Sequence, residues 1–254
     1  MRGAAFLARM DSAMESVPGT HQGKSTIVVD IGGTTTDVGV LLPSGFPRQA
    51  AAFIEIGGVR TNFSMADVQS IGLGGGSRVR VHKTEKGDAV AVGPDSVGNT
   101  LTRDARVFGG DVLTATDIVV ADGTVDIGDK ARVQDVASDV MQKSREAIKR
   151  LLERIVDRYV PYFNSAAHIL RALTRMKTSP EDVTLLLVGG GSIIAPDKME
   201  GVSQIIRPPF FDVANAAGAA MAKGKPFSSS LRHLLVHSHP SRRRDRHHRD
   251  PTRS

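Results

Sequence analysis

The chain has 254 residues, of which 40% are hydrophobic and 24% charged, so most of its length can fold around an apolar core. It contains no cysteine, which excludes disulfides, thiolate metal sites and a cysteine nucleophile. Of the formal net charge of +6, seven Arg against two Asp within 232–254 account for +5, so the body of the chain carries little of the positive charge that a nucleic-acid surface needs.

Residues 2–14 read as a helical stub, and Pro18, Gly19 and Gly23 as a loop. Ser25–Asp30 is a predicted strand, Ile31–Thr36 a Gly/Thr turn, and Asp37–Leu42 a second strand. A tight reversal at 43–47 leads to a third strand, Ala50–Ile56, expected antiparallel to its neighbour. Gly57–Asp67 reads as a loop and Ser70–Ser77 as a second Gly-rich turn. Val79–His82 and Ala89–Val92 pattern as a hairpin across 85–88, and 93–98 as a polar turn. Thr114–Val119 fits either a short helix or a strand.

The clearest helix is expected over 130–160, from Val133, Val136, Val140, Ala147, Leu151, Ile155 and Tyr159. Asp129 could cap it and Pro161 end it. A further helix is predicted at 164–176, buried strand Val183–Val188 runs into Gly189-Gly190-Gly191-Ser192, Ser203–Ile206 is a short strand, and Asp212–Met221 an alanine-rich helix. From 226 onward no apolar face is sustained, and disorder is expected. That basic tail reads as a non-folding extension and is not expected to bind nucleic acid. No apolar stretch reaches membrane-spanning length and the first residues do not form a signal peptide, so a cytoplasmic protein without a membrane partner is expected.

Asp30-Ile31-Gly32-Gly33-Thr34-Thr35-Thr36-Asp37 carries the most chemistry. Gly32 and Gly33 allow close backbone approach to a ligand. Successive N–H groups in such a turn can cradle an anion, and Thr34, Thr35 and Thr36 add hydroxyls. Asp30 and Asp37 are the candidate catalytic carboxylates, with Asp30 placed to hold a hydrated Mg²⁺. The bland alternative is a β-turn decorated with threonines. The turn lacks the Gly-Lys-Ser/Thr ending of a Walker loop, and Gly23-Lys24-Ser25 precedes the strand instead of following it.

Gly189, Gly190, Gly191 and Ser192 suit backbone approach to an adenine or ribose; a plain strand-to-loop turn is the alternative. Arg60, Asn62 and Asp67 could touch substrate or be solvated, and Gly75 and Gly76 could line the cleft or simply turn the chain. Asp95 and Asp111 are lesser catalytic candidates. His82 reads as a surface histidine and His168 as structural.

The ordered motifs resemble the hydantoinase/oxoprolinase family, within the sugar kinase, Hsp70 and actin superfamily. They are Arg2–Ala5, Asp30–Asp37, Glu55–Phe63, Ser70–Ser77, Val92–Gly98, Phe108–Asp111, Val188–Ser192 and Asn215–Ala219, and they extend to about residue 224. The resemblance implies an α/β, actin-like (ribonuclease H-like) ATPase lobe with a mixed sheet, incomplete relative to the two-lobed family fold. It divides the chain into a stub and linker at 1–24, the ATPase domain at 25–225 and the basic tail at 226–254.

The resemblance also implies an ATP- and Mg²⁺-dependent amidohydrolase that opens cyclic amides such as 5-oxoproline or hydantoins by phosphorylating the amide oxygen. The alternatives are an ATP-using component of a ketone carboxylase and a non-catalytic nucleotide-binding remnant. Asp30–Asp37 looks like the second of two phosphate loops, and Asn215–Ala219 like a connecting helix near the hinge. The first phosphate loop is not found in this sequence. The chain therefore reads as a fragment or truncated gene model, weakly active alone and working with a companion subunit or domain or as a homo-oligomer.

Overall fold

The computed structural model describes residues 3–4, 6–7, 26–42, 44–50, 54–56, 59–61, 66–85, 87–159 and 184–221. The expected loop at 18–23, Asn62, the helix at 164–176 with His168, and the tail at 226–254 lie outside the described residues.

Nine strands are described: β1 (Thr26–Ile31), β2 (Thr36–Leu41), β3 (Ile54–Ile56), β4 (Val59–Thr61), β5 (Val68–Ile71), β6 (Ser77–Thr84), β7 (Gly87–Ser96), β8 (Thr184–Val188) and β9 (Gln204–Ile206). The helices are α1 (Leu101–Asp104), α2 (Ala115–Ala121), α3 (Ser138–Asp157) and α4 (Ala214–Met221). Five strands form one mixed sheet in the order β5-β2-β1-β8-β9. β1 is antiparallel to β2 and parallel to β8, β2 is antiparallel to β5, and β8 is parallel to β9. This is an α/β fold with a mixed sheet, as expected.

Side chains alternate across the sheet. Ile27, Val29, Ile31, Val38, Val40, Leu185 and Leu187 enter the larger core, with residues of α2 and α3 packed into it. Val28, Leu41, Leu186 and Val188 enter a smaller core with Ala4, Leu7 and Ala214. Gly3, Ala4, Phe6 and Leu7 are helical, in agreement with the predicted stub at those positions.

Four expectations change. The third strand is seen only at Ile54–Ile56, and its antiparallel partner is β4, inside the region read as a loop. Val59 and Thr61 are β-branched and flank Arg60, a strand pattern overshadowed by the preceding glycines. The polar turn at 93–98 is largely the end of β7, which pairs out to Ser77↔Ser96. The long helix begins at Ser138; Lys130–Val133 is a 3₁₀ turn, with the Asp129 side chain accepting from Ala131 N–H. Buried Val133 and Val136 are three residues apart, a spacing common to both helix types, so periodicity could not separate them. Residues 115–119, for which the sequence allows either helix or strand, belong to α2, and Thr114 is its extended N-cap. There Thr114 and Asp117 form a reciprocal capping box. No helix among the described residues is long and apolar enough to cross a membrane.

Candidate functional site

β1 and β8 run parallel, with Asp30 beside Val188. The turns that follow them therefore leave the same end of the sheet. Gly32 to Thr35 forms the first turn, closed by Gly32 N–H donating to the Thr35 carbonyl at 2.8 Å. The Gly32 and Gly33 carbonyls accept from Gly75 N–H at 3.0 Å and Gly76 N–H at 2.7 Å. A peptide unit is planar and trans, so its N–H points opposite its C=O. With these two carbonyls turned onto the 74–76 backbone, the N–H groups of Gly33 and Thr34 face away from it. Gly33, Thr34 and Thr35 are exposed, and no partner for their N–H groups is found among the described residues. Successive free donors on an exposed turn are the pattern that binds an anion such as a phosphate.

Thr36 departs from expectation. It is buried, and its hydroxyl donates to the Leu73 carbonyl at 2.7 Å, so it fastens the turn and offers no donor to a ligand. Gly75 and Gly76, expected near substrate, are likewise buried with their N–H groups spent on the first turn. A Cβ on Gly74 would lie 2.6 Å from the Gly32 oxygen, the Gly33 carbonyl carbon and the Thr34 nitrogen. The second Gly-rich turn is therefore the buttress of the first. Ser96 extends that buttress: its hydroxyl donates to the Gly33 carbonyl at 3.2 Å and accepts from Gly98 N–H at 3.0 Å.

The turn after β8 also packs on the first. A Cβ on Gly191 would fall 2.1 Å from the Gly32 oxygen, and one on Gly189 (φ 89°) 2.3 Å from the Ile31 oxygen. Gly189, Gly191 and Ser192 are buried, and Ser192 Oγ has no hydrogen-bond partner among the described residues. Of the four residues expected at adenosine, only Gly190 is exposed, with open space where a Cβ would stand. Gly189 and Gly191 are glycines because backbone from the end of β1 and the first turn occupies the volume a Cβ would need.

Asp30 and Asp37 are paired in register on β1 and β2, and Ser70 follows in the same row on β5. Directly paired residues share a sheet face, so the two carboxylates lie together on the side of the smaller core. The Ser70 hydroxyl donates to Asp37. Asp30 is half-buried, and the exposed Asn215 side-chain amide favours its charged form. Burial raises its carboxyl above the ordinary value of 3.8, and the Asp37 charge adds to that, while Asn215 opposes it.

No cluster of three or more His, Asp or Glu able to hold a metal occurs among the described residues. The donor set is two carboxylates beside free N–H groups. Mg²⁺ next to a nucleotide takes one or two carboxylates and completes its shell with phosphate oxygens and water, so these residues fit it in that form.

The expected substrate residues are dispersed. Arg60 lies on β4, in register with Glu55 in a separate two-stranded sheet. Asp67 is ion-paired with Arg48 at 2.9 Å. Asp95 is exposed and bonded to Arg80, which holds its carboxyl below the usual range. Asp111 and His82 are exposed. The sequence places Asn215 only in a connecting helix; its proximity to Asp30 spans distant parts of the chain, and no local pattern signals it.

A family profile described as Hydantoinase/oxoprolinase matches residues 12–225. Curated proteins give no match. Among solved structures, the chain is similar to a nucleotide-free acetone carboxylase from work on ATP-dependent acetone carboxylation, with TM-score 0.55 and 20% identity over 87% of this chain and 31% of that one. It is also similar to an ATP-dependent caprolactamase from Pseudomonas jessenii, with TM-score 0.46 and 18% identity over 78% of this chain and 31% of that one. The first likeness is one of fold, and this chain spans under a third of either relative.

Proposed function

Because the chain belongs to the hydantoinase/oxoprolinase family, we propose that its Gly33–Thr35 turn holds a phosphate of ATP in an enzyme that activates an amide or ketone oxygen by phosphorylation. The observation that carries this reading is the outward direction of the Gly33 and Thr34 N–H groups, forced by the bonds of the preceding carbonyls to Gly75 and Gly76. ATP supplies the phosphoryl group that converts a poor leaving oxygen into a good one. Fixed donors aimed at phosphoryl oxygens stabilise the charge that spreads over them during transfer. The Thr34 and Thr35 hydroxyls, both on exposed residues, add donors at the same place. Asp30 and Asp37 would hold the water shell of Mg²⁺, whose charge offsets that of the phosphates.

A single cradle leaves the far side of the phosphate chain uncovered, so a companion domain or subunit is proposed to supply the opposing clamp. We favour cyclic amides such as 5-oxoproline or hydantoins as substrates. ATP-derived phosphate release is the test, read with a cyclic amide and, separately, with a ketone plus bicarbonate. Stimulation by the cyclic amide supports the amidohydrolase, and stimulation by the ketone assigns the carboxylase branch. Mg-ATP binding without turnover in either mixture, with the companion domain or subunit supplied, identifies a nucleotide-binding remnant. Titration with tripolyphosphate reads the cradle itself: the Gly33 and Thr34 amide resonances should shift more than that of Gly32, whose N–H is already bonded to Thr35.

A further inference from the structure

The first turn of α4 is fixed from two sides. Gly189 N–H donates to the Phe211 carbonyl at 2.8 Å, just ahead of the helix. Gly3 presses so closely on α4 that a Cβ there would lie 1.7 Å from the Ala214 oxygen and 2.6 Å from the Gly218 nitrogen. Ala214 is buried in the smaller core. The backbone that carries Asn215 is therefore held next to the turn that borders Asp30, and from there its side-chain amide favours the charged Asp30 carboxylate. Gly189 crowds the same carboxylate: a Cβ there would stand 2.5 Å from Asp30 Oδ1.

We propose that Asn215 is the positioning residue for the cation side of the site, orienting the Asp30 carboxylate toward the hydrated Mg²⁺ that accompanies a phosphate on the Gly33–Thr35 turn. The inference rests on the phosphate reading above. The residue type suits the task. A neutral amide donates one hydrogen bond and leaves the carboxylate its charge, whereas Lys or Arg would neutralise it and compete with the cation. Loss of a partner that orients a metal-associated carboxylate typically weakens metal affinity by about 10–100-fold.

The experiment is calorimetric titration of the full chain with tripolyphosphate, with and without Mg²⁺, for the wild type, Asn215→Ala, Asp30→Asn and the double variant. In the wild type, Mg²⁺ strengthens binding. Asn215→Ala is expected to reduce that gain about tenfold while leaving Mg²⁺-free binding unchanged, because the bare anion is held by main-chain N–H groups. In the Asp30→Asn background, Asn215→Ala should have no further effect.

A full Mg²⁺ gain in Asn215→Ala overturns the proposal. So does equal loss with and without Mg²⁺, which marks a purely structural role. Should Asn215→Ala lose the fold, Asn215→Gln reads the same ratio, and an undiminished gain there overturns the proposal too. No tripolyphosphate binding by the wild type sinks the phosphate reading itself, and this inference with it.

Discussion

Gly191 lies so close to Gly32 that a Cβ on the former would sit 2.1 Å from the carbonyl oxygen of the latter. The two turns at the end of the sheet are thus in backbone contact, and one cannot take a side chain without displacing the other. Gly191→Ala is expected to destabilise the chain by about 1–3 kcal/mol through overpacking, and to weaken tripolyphosphate binding because the Gly32 carbonyl must move. Gly190→Ala, one residue away with nothing within 4 Å of its Cβ, should change stability by no more than about 0.5 kcal/mol. Urea unfolding and calorimetric titration of the two variants check the contrast.

The threonines of the turn divide into two kinds. Thr36→Val keeps shape but leaves the Leu73 carbonyl without the buried hydroxyl that it accepts from at 2.7 Å, which costs about 1–3 kcal/mol. Thr34→Val alters an exposed residue, so its stability should stay within about 0.5 kcal/mol of wild type. If Thr34 serves the phosphate, its substitution lowers affinity without moving the unfolding midpoint. Equal loss of stability in both variants would show that the division is wrong.

The β1–β2 hairpin was legible because two short apolar runs flank a Gly/Thr turn, and β8 because Thr184–Val188 is apolar after its first residue. What escaped the sequence depends on residues far apart in the chain. Thr34 and Thr36 look equivalent in a row of three threonines; only the Leu73 carbonyl, 37 positions on, separates them. Gly75 and Gly76 resemble a ligand loop by composition, yet their N–H groups meet Gly32 and Gly33. Asn215 acquires its proximity to Asp30 only when α4 docks beside β1. In each case local pattern reports that a close approach occurs, and tertiary packing decides what is approached.

Asp117 shows the same point for a carboxylate that is fully buried and outside the candidate site. It accepts from Val107 N–H, Thr114 N–H and Thr114 Oγ1, each at 2.7 Å, and so ties the start of α2 to the turn at 106–108. Asp117→Ala leaves those donors unpaired in the interior and should cost at least about 3 kcal/mol, since hydrogen bonds to a charged group contribute about 1.5–3 kcal/mol each. Asp117→Asn should recover only part, because its amide can accept through one oxygen alone. Chemical denaturation measures both, and a loss under about 1 kcal/mol in the alanine variant would contradict the assigned role.

Asp30 combines a functional position with a cost to the fold. Burial raises its carboxyl above 3.8, so between that value and its higher folded value the native state binds more protons than the unfolded chain. Stability contributed at this position therefore falls as pH rises through that window and stays lower above it. Asp30→Asn removes the titration, so the difference in unfolding free energy between variant and wild type should grow with pH over the window and then level off. At neutral pH the variant should be the more stable protein and the weaker binder of Mg²⁺ with tripolyphosphate. Urea unfolding at a series of pH values from about 4 to 8 reads the first effect. A variant that is less stable than wild type at every pH would mean that the Asp30 carboxylate supports the fold, contrary to the sign argued here.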